Sequence, residues 1–286
     1  MSAPVWPVTG IDHILIAVRD LKQARSTYEG LGFMPTPMGR HTKLGSINHC
    51  LMLENDYLEL LAVDPESSVP NRWSGLLEVR QGVGAVALRS TDSKGAAVAL
   101  RAAGLNPGDV SEFSRPVERP DGVKDASFTV LHIDHASTPG LREFLCQHHT
   151  PELVWLPEYQ THPNGAKAIS EVIVVATDPA TVIAAQEKMF NTRAMGNSPH
   201  ARVIETGTAT MMVMTPDAFL KRFPKATLVK EALPYVAGFS LRLRDTLASA
   251  GWFRKQGISF ERSADGRAYL PPERACGVTL QFEMPA

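Results

Sequence analysis

The side chains best placed to do chemistry in this sequence are His13, in Ile11-Asp12-His13-Ile14-Leu15-Ile16-Ala17-Val18, and Glu59, in Tyr57-Leu58-Glu59-Leu60-Leu61-Ala62. Both stretches are short apolar runs rich in branched residues and read as β-strands. Side chains alternate along a strand. His13 therefore shares a face with Leu15 and Ala17, while Ile14, Ile16 and Val18 form the larger apolar face that a helix would cover. Glu59 shares a face with Tyr57 and Leu61. A carboxylate in the middle of Leu-Glu-Leu-Leu is costly to bury unless it is paired, and a histidine or a cation from a neighbouring strand would pair it. His13 and Glu59 are natural partners. Each alone has an ordinary reading, as a hydrogen-bonded structural histidine and a solvated strand glutamate.

The elements around them repeat. Ile11–Val18 is a strand, Asp20 caps a helix to about Leu31, and Gly32 stops it. Extended pieces at Phe33–Pro37, Ser46–Leu53 and Tyr57–Val63 complete a β-α-β-β-β unit. A second unit has strand Gly84–Arg89, a helix capped by Thr91 or Asp92 that ends at Gly104, and strands at about Val110–Phe113, Ser127–Ile133 and Leu141–His148. A third opens at Ile169–Ala176, with Asp178-Pro179 as cap and first-turn proline of a helix to Phe190, then Ala201–Thr206 and Thr210–Thr215. A fourth opens at Val236–Leu243, caps at Asp245 or Thr246, and closes with Ser259–Glu261, Arg267–Leu270 and Gly277–Glu283. Units recurring roughly every 70–85 residues are too long for short solenoid repeats. The alternative is an unrelated α+β chain whose strand–helix pairs arise by chance.

Composition bounds the partners. The 286 residues, 44% of them hydrophobic and carrying a formal charge of -1, can bury a substantial core and present no bulk field for nucleic acid or anionic membrane. No apolar run approaches the ~20 residues that span a bilayer, and Met1–Pro7 lacks the basic-then-apolar layout of a secretion signal. A cytoplasmic chain is expected. Cys50, Cys146 and Cys276 lie far apart, as reduced core thiols do.

At Ile11-Asp12-His13-Ile14, Gly39-Arg40-His41 and Tyr57–Ala62, the sequence resembles the glyoxalase-like branch of the vicinal oxygen chelate superfamily. Cys146-Gln147-His148-His149-Thr150-Pro151-Glu152-Leu153-Val154-Trp155, followed by His162-Pro163-Asn164-Gly165-Ala166, resembles it again. The resemblance implies an α+β fold of four βαβββ modules forming two cupped mixed β-sheets with helices outside. It divides the chain into a glyoxalase-like half, 1–167, that carries the candidate site, and a degenerate half, 168–286. It also implies a homodimer, a small-molecule ligand, and a divalent metal (Zn, Ni, Fe or Mn) inside the first cup. His13 and Glu59 would be ligands. The third is His148 or Glu143; five positions apart, they face opposite sides of an unbulged strand, so one alone reaches the cup. His148 is preferred, because it lies in the family-like segment, and Glu143 fits equally well as a solvated rim charge. Glu59 and His41 are the candidates to move a proton, His41 being equally compatible with plain surface exposure. Leu15, Tyr57, Leu61 and Trp155 would line the pocket. At the corresponding positions the second half keeps Glu171 and Gln281, too few and too poor in nitrogen for a transition metal. This departs from extradiol dioxygenase relatives, which place their iron ligands in the second half, and so argues against ring cleavage; lyase, isomerase or dioxygenase-type chemistry stays open, as does a metal-free binding or sequestering protein that uses the same cup. Lys221-Arg222-Phe223-Pro224-Lys225 reads as a solvated basic loop.

Overall fold

The structure, a computed structural model, describes residues 6–119 and 122–286; of the Met1–Pro7 segment expected to lack a secretion signal, Met1–Val5 lie outside the described residues. In chain order its elements are β1 (Val8–Ala17), α1 (Leu21–Gly30), β2 (Gly39–His41), β3 (Ser46–Met52), β4 (Tyr57–Val63), α2 (Ser74–Val79), β5 (Gly82–Ser90), α3 (Ser93–Ala102), β6 (Pro107–Arg119), β7 (Gly122–Ile133) and β8 (Glu143–His148). There follow β9 (Ala166–Val175), α4 (Pro179–Phe190), β10 (Ala201–Glu205), β11 (Thr210–Met214), α5 (Pro216–Arg222), β12 (Tyr235–Leu243), α6 (Thr246–Lys255), β13 (Glu261–Arg262), β14 (Arg267–Leu270) and β15 (Thr279–Pro285). The caps are the expected aspartates. Asp20, Asp92, Asp178 and Asp245 each accept backbone N–H bonds at the start of their helices, satisfying donors a helix cannot pair internally.

Two mixed sheets result, in the orders β2-β3-β4-β1-β5-β8-β7-β6 and β10-β11-β9-β12-β15-β14-β13. Within a module the first and last strands run parallel, as β1 does with β4. Modules join through antiparallel first strands, β1 with β5 and β9 with β12. Module three has βαββ form, its extra strand reduced to a Met195–Val203 bridge. Three other features depart from the sequence reading: Phe33–Pro37 is not a strand, β6 and β7 form a much longer hairpin than expected, and α2 and α5 are additional helices.

Ile14, Ile16, Leu58 and Leu60 face the helices and join one apolar core with Val172, Val174, Phe239 and Leu280 of the other sheet. The helices thus stand outside both cups and meet there. Gly32, at φ +83°, ends α1 directly under α6, where a Cβ would come within 2.4 Å of the Trp252 ring. Cys50, Cys146 and Cys276 are free and buried. Among the described residues, no helix is long and apolar enough to cross a membrane.

Candidate functional site

The hollow side of the first sheet holds a chain of ionisable groups. His13 Nε2 lies 3.8 Å from Glu59 Oε2, and His13 Nδ1 lies 2.7 Å from Asp12 Oδ1. The same Asp12 oxygen is 3.0 Å from His148 Nε2. A carboxylate oxygen only accepts, so His13 Nδ1 and His148 Nε2 both carry the hydrogens they donate to Asp12. Asn48 of β3 donates from Nδ2 to Glu59 Oε1 at 2.7 Å. Asp12, His13, Asn48 and Glu59 are all buried.

Asp12 is the member that strand alternation hides. Ile11 pairs with Leu88 and His13 with Ala87, so Asp12 is an extra residue, a β-bulge, on β1. A bulge breaks the period of two and lets neighbouring side chains reach the same side. In a regular strand Asp12 would point at the helices with Ile14. The one available signal was an aspartate inside an apolar strand, which has to be paired somewhere. Burial alone would raise the Asp12 pKa. The bonds and charges of His13 and His148 outweigh it and hold the carboxyl far below the ordinary carboxylate range.

Around this chain stands an aromatic wall. Tyr57 stacks on His13 with ring centroids 4.3 Å apart, Trp155 packs on His148 at 4.8 Å, and Phe128 and Phe144 close the sides. Leu15 and Leu61 lie with Ala17, Ala85 and Trp73 in a separate apolar cluster, apart from Tyr57 and Trp155. His41 ends the short strand β2, with Nδ1 3.1 Å from Ser46 Oγ. Burial lowers its pKa, with Glu59 opposing the shift and Arg115 and His13 adding to it, so the ring is neutral near pH 7.

Glu143 and His148 do face opposite ways. His148 is in the cup; Glu143 points to the helices and accepts from Gln186 of α4 at 2.9 Å, in contact with neither His13 nor Glu59 and not a solvated rim charge. Nor does His148 converge with the His13–Glu59 pair, because its Nε2 is held by Asp12 on the other edge of the His13 ring. Asp12, Cys146 and His148 form a second group of donors, with ligand atoms within 4.8 Å of one another. With no ion beside it, burial, with Asp12 and Glu59 nearby, pushes the Cys146 thiol well above the ordinary range.

Burial also lifts the Glu143 carboxyl to about 7, against a smaller downward pull from Gln186. A folded-state pKa above the unfolded value means the folded chain binds the extra proton. Glu143 therefore supports the fold fully below its ordinary 4.5, and the support is lost as pH rises through 7. Glu143→Gln is expected to be the more stable protein at pH 8, by about 2 kcal/mol, with little difference at pH 5. Urea melts at the two pH values check this; equal gaps would refute it. Asp56, also lifted to about 7, titrates in the same window and is untouched by the substitution.

The second cup holds a different arrangement. Arg222, at the end of α5, is not solvated: it enters the cup and donates from Nη1 and Nη2 to the two oxygens of Glu171, at 3.0 and 2.6 Å. Its Nη2 also reaches Gln281 Oε1 at 2.7 Å, and the Ser240 hydroxyl lies 3.0 Å from both acceptors. A guanidinium thus fills the polar centre of that cup.

Comparison with known proteins agrees with the fold. Residues 11–190 match the model of a family described as the glyoxalase-like domain. A hypothetical protein from Staphylococcus aureus superposes with a TM-score of 0.69 at 14% identity, covering 96% of this chain and 98% of that one. A triple variant of 4-hydroxymandelate synthase from Streptomyces coelicolor superposes with a TM-score of 0.62 at 14% identity, covering 98% and 93%. At such identities these likenesses speak for the fold alone. No curated protein matches the chain significantly.

Proposed function

Since the chain belongs to the glyoxalase-like domain family, in the vicinal oxygen chelate superfamily, we propose that its first cup binds a small polar organic molecule and acts on it at the His13–Glu59 pair. One observation carries the reading. With its hydrogen committed to Asp12 through Nδ1, a neutral His13 turns the lone pair of Nε2 toward a carboxylate oxygen 3.8 Å away. Two acceptors facing each other in a buried site call for a positive charge between them.

A divalent ion fits that need. The separation lies within the span of two bonds of about 2.0–2.2 Å, and nitrogen with oxygen suits Zn, Ni, Fe or Mn. Asp12 would serve as the outer carboxylate that fixes the ring of a ligating histidine. When bound, such an ion polarises a carbonyl or holds two neighbouring oxygens of a substrate. The protein's own groups do the rest. Asn48 holds Glu59 by one oxygen and leaves the other toward His13; Tyr57, Trp155 and Phe144 present flat apolar walls to a bound molecule. His41, neutral and fixed through Nδ1 by Ser46, is available to take up and return a proton. Lyase or isomerase chemistry is favoured over ring cleavage, since Arg222 occupies the second cup. A cytoplasmic homodimer belongs to the same proposal, and light scattering tests the dimer.

A second reading follows from His148 being turned to Asp12, which leaves two protein donors for an ion. The positive charge is then a proton on His13, and the cup is a metal-free binding site. Elemental analysis of purified protein, with melting curves after chelation and re-addition of Mn, Ni, Zn or Fe(II), separates the two. The metal reading expects stoichiometric ion, a raised melting temperature on re-addition, and loss of both in His13→Ala. Metal-free protein whose melting does not respond would overturn it.

A further inference from the structure

At the junction of the two sheets, where β5 meets β12, lies a cavity of about 230 Å³ whose lining includes Leu76, Val79, Arg80, Arg142, Tyr235 and Val236. Two cations on its wall have no anion. Arg80 donates from Nη2 to the Val83 carbonyl and lies 4.5 Å over the Tyr235 ring, yet its Nη1 is buried without an acceptor. Arg142 has its guanidinium 5.8 Å from the Trp73 ring, and among the described residues neither arginine is within ion-pair reach of a carboxylate. Burial and the charge of Arg142 both disfavour the protonated form of Arg80, with Tyr235 opposing. Buried arginine hydrogens without acceptors are rare, and each costs free energy that an incoming anion would return. Glu231 is the acidic residue of the lining, and it is exposed.

We propose that this cavity binds a small organic carboxylate, with its anionic end on Arg80 and Arg142 and its apolar body against Leu76, Val79 and Val236. The volume is that of about eight water molecules in the liquid, room for an acid of about ten heavy atoms. Arginine suits a carboxylate because its planar fork presents paired donors to two oxygens. The apolar half of the lining distinguishes such an acid from inorganic phosphate, which engages the arginines and leaves the rest unfilled.

Titration calorimetry of the full-length protein with benzoate, benzamide and inorganic phosphate tests the assignment. Benzoate is expected to give saturable binding, at least tenfold tighter than its uncharged isostere benzamide and than phosphate. Arg142→Ala, an exposed change that leaves the fold intact, should weaken benzoate at least tenfold, as should Arg80→Gln if its melting curve shows it folded. Glu231→Gln removes a repulsive charge and should tighten binding severalfold, a gain that a purely structural role would not produce. His13→Ala should leave it unchanged, which separates this site from the His13–Glu59 pair. Absence of saturable benzoate binding, or unchanged affinity in Arg142→Ala, overturns the proposal; phosphate binding as tightly as benzoate overturns the organic-acid assignment.

Discussion

Asp12→Ala is expected to lower stability by about 3–5 kcal/mol, because it takes the shared acceptor from two buried imidazole N–H groups, leaving His13 Nδ1 unpaired and His148 Nε2 with the weakly accepting Cys146 sulfur 3.5 Å away. At this chain length that is a fall in melting temperature of about 10 °C. Asp12→Asn keeps the shape and one acceptor oxygen, so it should cost much less stability while removing the charge that orients His13. Under the metal reading it should still weaken ion binding about 10–100-fold. The wild-type protein carries a pH signature of the same contact. A carboxyl depressed in the folded state contributes stability that is fully present above its ordinary 3.8 and is lost as pH falls below it. Asp12→Asn should flatten that acid limb. Calorimetric melts from pH 2 to 7, with ion titrations, check both parts; an alanine variant within 1 kcal/mol of wild type would refute the pairing.

Arg222→Ala should cost a similar 3–5 kcal/mol by a different route. It leaves the Glu171 carboxylate buried in the second cup with only the Ser240 hydroxyl beside it. Changing both residues to methionine removes the stranded charge with its partner, and the double variant should recover most of the loss. A double-mutant cycle in urea built from Arg222→Met, Glu171→Met and the double variant therefore expects strong positive coupling. Additive losses would mean that Arg222 contributes through packing on Phe223, whose ring lies 4.9 Å from its guanidinium, and not through Glu171.

What the sequence made legible was local. The aspartate caps, the helix-ending glycines and the four opening strands depend on neighbours within a few positions, and each can be read from them. His13 and Glu59 were legible as a pair because alternation places them on one face and burial of Glu59 demands a partner. Asp12 was hidden because a bulge is an exception to alternation, decided by how β1 registers on β5, seventy-odd residues away. Arg222 was misread for a related reason. A basic pentapeptide is ordinarily solvated, and only the return of α5 across the second sheet brings its last residue beneath Glu171. His148 shows both sides: its parity against Glu143 was readable along one strand, whereas its attachment to Asp12 depends on a contact between residues 136 positions apart.

The single apolar core shared by the two sheets bears on how the chain is made. While residues 168–286 are still being synthesised, Ile14, Ile16, Leu58 and Leu60 of the emerged half have lost water on one flank but have yet to meet Val172, Phe239 and Leu280. A nascent chain stalled there presents a sticky back, and in cells it should be bound by holding factors or cleared, not accumulate as a working half.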